Sequence, residues 1–347
     1  MMMLKSAPRR GRARSAQRLE LPVVDPHRAV SRRLPHITPI EKRGQFLRPS
    51  PMADLLEDDI LSVNHVSGCA MQCTFCYARG YPGFAGDAEL QLYINAADGI
   101  RRELRERRGP PRAVYLCPST DPFPPFSEIQ AETVRIIDVL AEFKVESWLM
   151  TRGHVRPGAL QRLRRHRDLI QITFALTTLD RNLRRVLEPL AAPTRLRLRQ
   201  LRELRDLGFA VQASIEPLIR GLTDTHDNLA PLLDELAKAG INRVSTAYLY
   251  VRPGIQQNLE RELEPLGLAK PILEPYQQGP ILPMGRIAAA RHLPRAERQR
   301  GYARLMALAA ERGIAVNVCG LTNPDFSQPR AALPQPSRPL RQLDFGY

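Results

Sequence analysis

Three of the five cysteines in this 347-residue chain lie on one short stretch. Cys69, Cys73 and Cys76 have the spacing C-x3-C-x2-C, and Phe75 and Tyr77 flank the last of them. Cysteine thiolates are the usual protein ligands of iron–sulfur clusters, and four of them normally bind one cubane cluster. Three thiolates can bind three irons of such a cluster and leave the fourth iron open to a small molecule. An open metal position is typical of a catalytic site rather than a structural one.

The same cysteines allow a second interpretation. His65 lies four residues before Cys69, so it could join the three thiols in a Cys3His zinc site. Zinc sites of this kind usually have a second pair of ligands further along the chain, and no such pair follows here. The cluster interpretation is therefore favoured. The alternative is a non-enzymatic, zinc-stabilised protein that binds nucleic acid.

The composition predicts a basic, globular protein. Hydrophobic residues make up 43% of the chain and no long uncharged apolar run occurs, which argues against a membrane protein. The formal net charge is +15, and 5 of the 51 basic residues are lysine, the rest being arginine. Positive charge favours a polyanionic partner such as nucleic acid, although arginines on helices are also ordinary solvated residues. The clustered cysteines, and a basic N-terminus with no apolar segment after it, predict a cytoplasmic location.

Alternation of strand and helix patterns defines most of the chain. Strands are predicted at residues 60–67, 112–117, 145–151, 170–177, 209–215, 241–250 and 314–319. Helices are predicted at residues 87–108, 129–143, 195–207 and 229–236 and again from about 302 to 309. Residues 252–296 are rich in proline and glycine and are predicted to be an irregular insertion.

Strands that alternate six times with helices predict βαβ units, a parallel sheet and a partial (β/α)6 TIM-like barrel. We predict three parts: residues 1–45 as a basic, largely disordered N-terminal extension, residues 55–255 as the barrel, and residues 256–347 as a C-terminal extension that completes the barrel and ends in a flexible tail. In such barrels the chemistry lies at the carboxyl ends of the strands. The cysteine loop follows the first strand, where that rule places a cofactor.

The cysteine spacing, with an aromatic residue before the last cysteine, resembles that of the radical S-adenosylmethionine (SAM) enzymes. In that family SAM chelates the open iron and is reductively cleaved to a 5′-deoxyadenosyl radical. The resemblance implies an enzyme with a [4Fe–4S] cluster on Cys69, Cys73 and Cys76, with SAM as a second cofactor. It also implies an electron donor such as a flavodoxin or ferredoxin.

The strand ends resemble, more narrowly, the spore photoproduct lyase-like branch, also described as DNA repair photolyase-like. The likeness extends over residues 55–255 and is carried by CPSTDP at 117–122, TRG at 151–153, TTLD at 177–180 and EPLIRG at 216–221. It implies a lyase-like radical enzyme whose substrate is nucleic acid. A peptide or small metabolite stays as the alternative substrate.

The resemblance also implies roles for five residues around SAM. Ser119, Thr120 and Asp121 lie where the family contacts the amino group of SAM. Arg152 takes the place of a lysine that pairs with the SAM carboxylate. Thr177 lies near the expected contact with the ribose.

Structural explanations compete with these roles. Turn formation before prolines explains Ser119 and Asp121 almost as well. Glu188 and Arg195 are expected to form a structural ion pair.

Two further residues are predicted to be catalytic from the same resemblance. Spore photoproduct lyase uses a cysteine after the second strand to return a hydrogen atom to its product, and tyrosines beside the cluster assist. Cys117 lies four residues before Asp121, one further than in the lyase pattern. Tyr77 matches one tyrosine, whereas Phe75 replaces the other and lacks its hydroxyl. Cys319 also follows a strand and is predicted to be structural.

Overall fold

A computed structural model describes residues 33–50, 59–80, 84–284 and 288–326 of the chain. It contains a mixed α/β structure built around one large sheet. The strands of the described residues are β1 (His36–Ile40), β2 (Arg48–Pro49), β3 (Ile60–Val63), β4 (Val66–Ser67), β5 (Glu89–Tyr93), β6 (Ala113–Leu116), β7 (Glu146–Thr151), β8 (Ile170–Leu176), β9 (Ala210–Leu218), β10 (Arg243–Tyr248), β11 (Ile281–Met284), β12 (Ala288–Arg291) and β13 (Ala315–Val318).

The main sheet has eight strands in the order β13-β10-β9-β8-β7-β6-β3-β2. Strands β3 to β10 in this series pair parallel with their neighbours, which confirms the predicted (β/α)6 arrangement. Strand β13 adds a parallel strand beyond β10, and β2 pairs antiparallel with β3 at the other edge. Within the described ranges no pairing joins the two edges, so the sheet is an open, partial barrel.

Helices cover the outside of this sheet. The α-helices of the described ranges are α1 (Ala96–Glu106), α2 (Ser127–Glu142), α3 (Pro157–Leu163), α4 (Arg181–Leu187), α5 (Thr194–Asp206), α6 (His226–Lys238), α7 (Pro253–Leu263), α8 (Ala269–Leu273) and α9 (Arg295–Ala310). Short 3-10 helices lie at Tyr77–Gly80, Arg164–Leu169, Glu264–Leu266, Glu274–Gln278 and Pro324–Phe326.

Helix α6 shows how the pattern produces the packing. Leu229, Leu232, Leu233 and Leu236 form one buried stripe at helical spacing against the sheet. The hydroxyl of Thr225 accepts the N–H of Asn228 and so satisfies one of the free donors at the start of the helix. An apolar stripe and a capping residue thus fix both the buried face of the helix and its first turn.

The prediction of one helix over residues 87–108 is wrong for its first part. Residues 89–93 form strand β5, and the helix begins only at Ala96. Leu90 and Leu92 are both buried, which is the period of two that a strand requires. Strand β5 pairs parallel with β1 and antiparallel with β4. These two neighbours provide the hydrogen-bond partners of its backbone N–H and C=O groups, which a helix would find within itself.

The prediction that residues 252–296 are irregular is also wrong in part, because they contain helices α7 and α8 and the β11–β12 hairpin. Ile255, Leu259 and Leu263 are buried at intervals of four residues along α7. The amide of Asn258 donates to the carbonyl of Thr74 at 2.5 Å, which joins this helix to the cysteine loop. Helix α7 therefore covers the cysteine loop, which follows β4.

The predicted N-terminal extension is described only from residue 33. Residues 1–32 and 327–347 lie outside the described residues, whereas β1 lies inside the predicted extension and pairs with β5. Among the residues that the structure describes, no helix is long and apolar enough to cross a membrane.

Helix α7 gives a test of the packing over the cysteine loop. Leu259 is fully buried, so Leu259→Ala is expected to lower the free energy of unfolding by about 2–5 kcal/mol. Leu34 is 54% exposed, and Leu34→Ala is expected to change that free energy by less than about 0.5 kcal/mol. Urea unfolding measures both variants, and equal effects would mean that α7 does not pack as described.

Candidate functional site

One cavity lies at the carboxyl ends of strands β6, β7, β9 and β10 and contains about 960 Å³ of space not filled by atoms, including its open mouth. Most of the predicted site residues line it together. They are Cys69, Cys73, Cys76, Tyr77, Cys117, Ser119, Thr120, Asp121 and Arg152. Loops after several different strands therefore converge on this cavity, as expected for the carboxyl edge of a parallel barrel sheet.

The cysteine loop is shaped by its own backbone. Gly68 has a φ of +87°, and a Cβ there would lie 2.9 Å from Leu90 Cδ2, so both the turn and the packing favour glycine. The N–H of Cys76 donates to the carbonyl of Cys73 at 3.2 Å. The N–H of Thr74 donates to the carbonyl of Leu187 at 3.0 Å and joins the loop to helix α4. These contacts hold the three thiols on one wall of the cavity.

The thiols lie in surroundings that disfavour free thiolates. Burial raises the pKa of all three, to about 12 for Cys73. The nearby guanidinium groups of Arg152 and Arg197 act in the opposite direction on Cys73. A bound metal would provide the positive charge that turns such thiols into thiolates.

The donor set fits an iron–sulfur cluster better than a single zinc ion. In the described part of the chain, no three His, Cys, Asp or Glu side chains converge on one ion position. Cysteines that bind a cubane do not need to converge, because each binds a different iron. The alternative fourth zinc ligand, His65, does not line the cavity, and both of its ring nitrogens contact other residues. The three thiols thus lie on one cavity wall, and His65 does not join them there.

Asp121 connects the loop after β6 with the end of β7. Its Oδ1 accepts the N–H of Phe123 at 2.8 Å and the hydroxyl of Thr151 at 2.7 Å, and its Oδ2 accepts the N–H of Arg152 at 2.7 Å. Burial raises the pKa of this carboxyl, and these three hydrogen bonds oppose the shift. The hydrogen bond with Phe123 is the contact expected if Asp121 served only to form the turn. Oδ2 nevertheless has room for a further hydrogen bond beside the cavity.

A buried ion network lies behind the thiols. The carboxylate of Glu188 accepts hydrogen bonds from the guanidinium groups of Arg152 and Arg197. Burial alone would raise the pKa of Glu188, but the two guanidinium groups outweigh it and lower the pKa to about 2. The guanidinium of Arg152 also lies over the ring of Phe75, 5.1 Å from its centroid. Two buried guanidinium groups thus share the carboxylate of Glu188, and the carboxyl groups of Asp121 and Glu216 also lie on the cavity wall beside Arg152.

Two further expectations from the sequence concern Thr177 and the ion pair of Glu188. Thr177 is fully buried and does not line the cavity, because its hydroxyl donates to Glu188 at 2.5 Å. Glu188 forms its ion pairs with Arg197 and Arg152 rather than with Arg195. Arg197 lies on a different face of α5 from Arg195, and that face is turned towards the sheet.

The sequence interpretation missed several residues of the cavity wall, among them Glu216, Tyr115 and Tyr250. Glu216 lies near the end of β9, and burial raises the pKa of its carboxyl. Tyr115 lies within β6, and burial raises the pKa of its hydroxyl. Position at a strand end could have identified Glu216. The alternation of side chains along β6 could have predicted that Tyr115 faces the inside of the barrel. The position of Tyr250 on the cavity wall depends on tertiary contacts alone.

Cys117 and Tyr77 also line this cavity. The sulfur of Cys117 is 3.3 Å from Nδ1 of His65. The hydroxyl of Tyr77 donates to the carbonyl of Pro118, the residue after Cys117. The two predicted catalytic residues are therefore linked through the loop after β6.

Comparisons of the sequence identify one protein family. The model of the Radical SAM superfamily matches residues 63–233. A radical SAM Nalpha-GlyT isomerase of Pseudomonas phage M6 is 24% identical over 256 residues, which cover 68% of this chain and 52% of that protein. An uncharacterised protein of Mycobacterium tuberculosis is 26% identical over 200 residues, covering 55% of this chain and 59% of that protein. The chain thus spans little more than half the length of these curated relatives.

Comparison of the structure finds a similar fold in spore photoproduct lyase complexed with dinucleoside spore photoproduct. The TM-score is 0.62 with 14% sequence identity, over 81% of this chain and 82% of that chain. A tyrosine-to-phenylalanine mutant of spore photoproduct lyase gives a TM-score of 0.58 at the same identity, over 81% of each chain. At this identity the likeness is one of fold.

Glu188 gives a test of the buried network. Glu188→Gln removes one charge between two arginines and is expected to lower the free energy of unfolding at pH 7 by about 3 kcal/mol. Because the pKa of Glu188 is lowered from 4.5 to about 2, the stabilisation is full above pH 4.5 and is lost as the pH falls towards 2. Urea unfolding at pH 7, 4 and 3 should therefore show that the difference in unfolding free energy between wild type and Glu188→Gln shrinks as the pH falls.

The control for this experiment is Glu203→Gln, which changes an exposed glutamate on α5. It is expected to alter the unfolding free energy by less than about 0.5 kcal/mol at any of these pH values. A difference between wild type and Glu188→Gln that stays constant from pH 7 to pH 3 would contradict the described network.

Proposed function

Because this chain belongs to the radical SAM superfamily, we propose that it is an enzyme that binds a [4Fe–4S] cluster through Cys69, Cys73 and Cys76. With SAM bound to the cluster's open iron, reductive cleavage supplies a 5′-deoxyadenosyl radical that abstracts a hydrogen atom from the substrate. The observation that carries this proposal is the position of the three cysteines. They share one cavity with polar residues from the ends of neighbouring strands.

The residues around the cavity are suited to bind the charged groups of SAM. Asp121 and the hydroxyls of Ser119 and Thr120 are acceptors for an ammonium group. Arg152 donates to Glu188, to Thr177 and to the carbonyl of Glu216, which leaves its Nε–H and one Nη2–H without an acceptor among the described residues. A carboxylate can take both remaining hydrogens, because a guanidinium donates in a planar fork.

Thr177 acts on this arrangement from behind the cavity wall. Its hydroxyl contacts both Glu188 and the guanidinium of Arg152. We assign it the orientation of Arg152 in place of the ribose contact that the resemblance implied.

Cys117 and Tyr77 are proposed to control the substrate radical. A thiol on the cavity wall can return a hydrogen atom to a substrate radical, which makes the overall reaction lyase-like. Tyr77 lies beside the cluster cysteines and close to Cys117, where its hydroxyl fixes the loop that contains the thiol. Phe75 supports Arg152 through its ring and has no hydroxyl, so of the two positions that match the lyase tyrosines only Tyr77 is a tyrosine.

Nucleic acid is the substrate class we propose. The formal net charge of +15 favours a polyanion. One of the solved structures with a similar fold is a lyase complexed with a dinucleoside photoproduct, and this supports the same class. A flavodoxin or ferredoxin is proposed as electron donor. All five cysteines are free, which agrees with a reducing compartment such as the cytoplasm.

Cluster binding is tested by anaerobic reconstitution. Wild type is expected to hold about four iron and four sulfide ions per chain. Cys69→Ala, Cys73→Ala and Cys76→Ala should each lose most of both, because one iron loses its ligand. Cys319→Ala is the matched control and should keep the wild-type content, since Cys319 lies outside the cavity wall.

Under dithionite, wild type and Cys319→Ala should release 5′-deoxyadenosine from SAM. Zinc in place of iron, or no 5′-deoxyadenosine from the wild-type protein, would contradict the proposal.

The substrate class is tested separately. Binding to DNA is expected to weaken steeply as salt is raised from about 50 to about 200 mM, because phosphate contacts release counterions. Reduced protein with SAM and ultraviolet-irradiated DNA should change the amount of at least one lesion, as measured by mass spectrometry. Salt-independent binding with unchanged lesions would favour the peptide or metabolite alternative.

A further inference from the structure

Cys117 has a backbone conformation that cysteine rarely adopts. Its φ is +61°, in the left-handed region. Its N–H donates to the carbonyl of Val63 at 2.7 Å, and its carbonyl accepts the N–H of Thr120 at 3.2 Å. Backbone strain of this kind persists where the surroundings impose it, and it concentrates at functional sites. Here it places the thiol on the wall of the cavity that holds the three cluster cysteines.

The hydrogen bonds of His65 fix which of its ring nitrogens carries the proton. Its Nε2 is 3.0 Å from the hydroxyl oxygen of Thr133. That hydroxyl also lies 2.8 Å from the carbonyl of Pro122 and 3.0 Å from that of Ile129. A threonine hydroxyl has one hydrogen, and the two carbonyls can only accept, so the hydroxyl donates to a carbonyl and accepts from Nε2–H. The network therefore assigns the proton to Nε2 and leaves a lone pair on Nδ1.

The lone pair of Nδ1 faces the sulfur of Cys117 at 3.3 Å. The thiol is consequently the donor and Nδ1 the acceptor of this hydrogen bond. Burial lowers the pKa of His65 to about 4 and raises the pKa of Cys117, so the pair is a neutral thiol and a neutral imidazole. The main-chain N–H of His65 acts against the rise in the pKa of Cys117 but does not outweigh burial.

The direction of this hydrogen bond matters because His65 is not part of the cavity wall, whereas Cys117 is. Cys117 thus lines the cavity, whereas the acceptor of its thiol hydrogen, Nδ1 of His65, belongs to a residue outside the wall, so the hydrogen is held away from the cavity. A thiol next to a strongly oxidising radical gives up its hydrogen readily, so a hydrogen that pointed into the cavity would quench the first radical formed there. Rotation about the Cβ–Sγ bond is enough to bring the hydrogen into the cavity.

We propose that His65 is a positioning residue that holds the hydrogen of the Cys117 thiol away from the cavity until a substrate radical has formed. This inference rests on the proposed radical function of the same site. On transfer, the S–H bond breaks homolytically, a C–H bond forms on the substrate and Cys117 becomes a thiyl radical. One electron from the ferredoxin- or flavodoxin-class donor and one proton from solvent then restore the thiol.

Infrared spectroscopy of the full-length protein tests the hydrogen bond directly. The S–H stretching band of Cys117 is identified as the band lost in Cys117→Ala. In His65→Leu this band should move to the higher frequency of a thiol without an acceptor. In His65→Asn the amide oxygen lies near the position of Nδ1, and the band should return towards the wild-type frequency. A band at one frequency in wild type and His65→Leu would show that His65 only fills space, and would overturn the proposal.

The holding role is tested by isotope transfer in D2O without substrate, where the thiol becomes S–D. In reduced wild type with SAM, little deuterium should enter 5′-deoxyadenosine. In His65→Leu the deuterated fraction should rise about fivefold, the factor set by one neutral hydrogen bond. The double variant His65→Leu/Cys117→Ala should return to the wild-type level. Equal deuterium in wild type and His65→Leu would overturn the proposal.

Failure of this inference and failure of the proposed function give different results. A wild-type protein that releases no 5′-deoxyadenosine contradicts the proposed function. Release of 5′-deoxyadenosine together with an unmoved S–H band contradicts the role of His65 alone.

Discussion

The buried carboxylate of Glu188 is the contact on which the geometry of the site depends. It lies between Arg152, at the end of β7, and Arg197, on α5. Arg197 donates in turn to the carbonyl of Ala175 in β8, and Arg152 donates to the carbonyl of Glu216 at the end of β9. One anion thus fixes the ends of three neighbouring strands relative to one another. A buried charge with two partners is costly to disrupt, because removal of either partner leaves an unpaired ion.

The same network sets the charge next to the cysteine loop. Thr74 and Phe75 of that loop contact helix α4 and the guanidinium of Arg152 respectively. Burial and the carboxylate of Glu188 raise the pKa of the Cys73 thiol, whereas the guanidinium groups of Arg152 and Arg197 lower it. Positive charge favours thiolate ligands and an anionic cofactor group over neutral thiols. The ion network therefore positions the cavity wall, and its two arginines oppose the effect of burial on the Cys73 thiol.

The sequence predicted the parts of the site that depend on local order along the chain. The cysteine loop and the CPSTDP and TRG segments follow buried strands, and parallel strands bring their carboxyl ends to one edge, so their convergence could be predicted. Contacts between residues that are far apart in the sequence could not be predicted in this way. The pairing of Glu188 with Arg197 depends on which face of α5 packs on the sheet, and the order of residues along the chain does not reveal the contact between Thr177 and Glu188.

His65 illustrates the same limit. Its position four residues before Cys69 suggested a zinc ligand, but spacing says nothing about the direction of a side chain. The bend between β3 and β4 and the tertiary contact with α2 turn its ring towards Cys117 and Thr133. Helix α7 was missed because its proline and glycine lie in its first turn, where proline is compatible with a helix, so composition alone predicted a loop.

The central claim is that three cysteines bind three irons and leave the fourth open to SAM. Mössbauer spectroscopy of the protein reconstituted with isotopically enriched iron, with and without SAM, tests this most directly. The account predicts that one iron in four changes its isomer shift and quadrupole splitting when SAM is added, while the other three keep theirs. Four irons that all keep their parameters in the presence of SAM would contradict it, because the fourth iron would then have no open position.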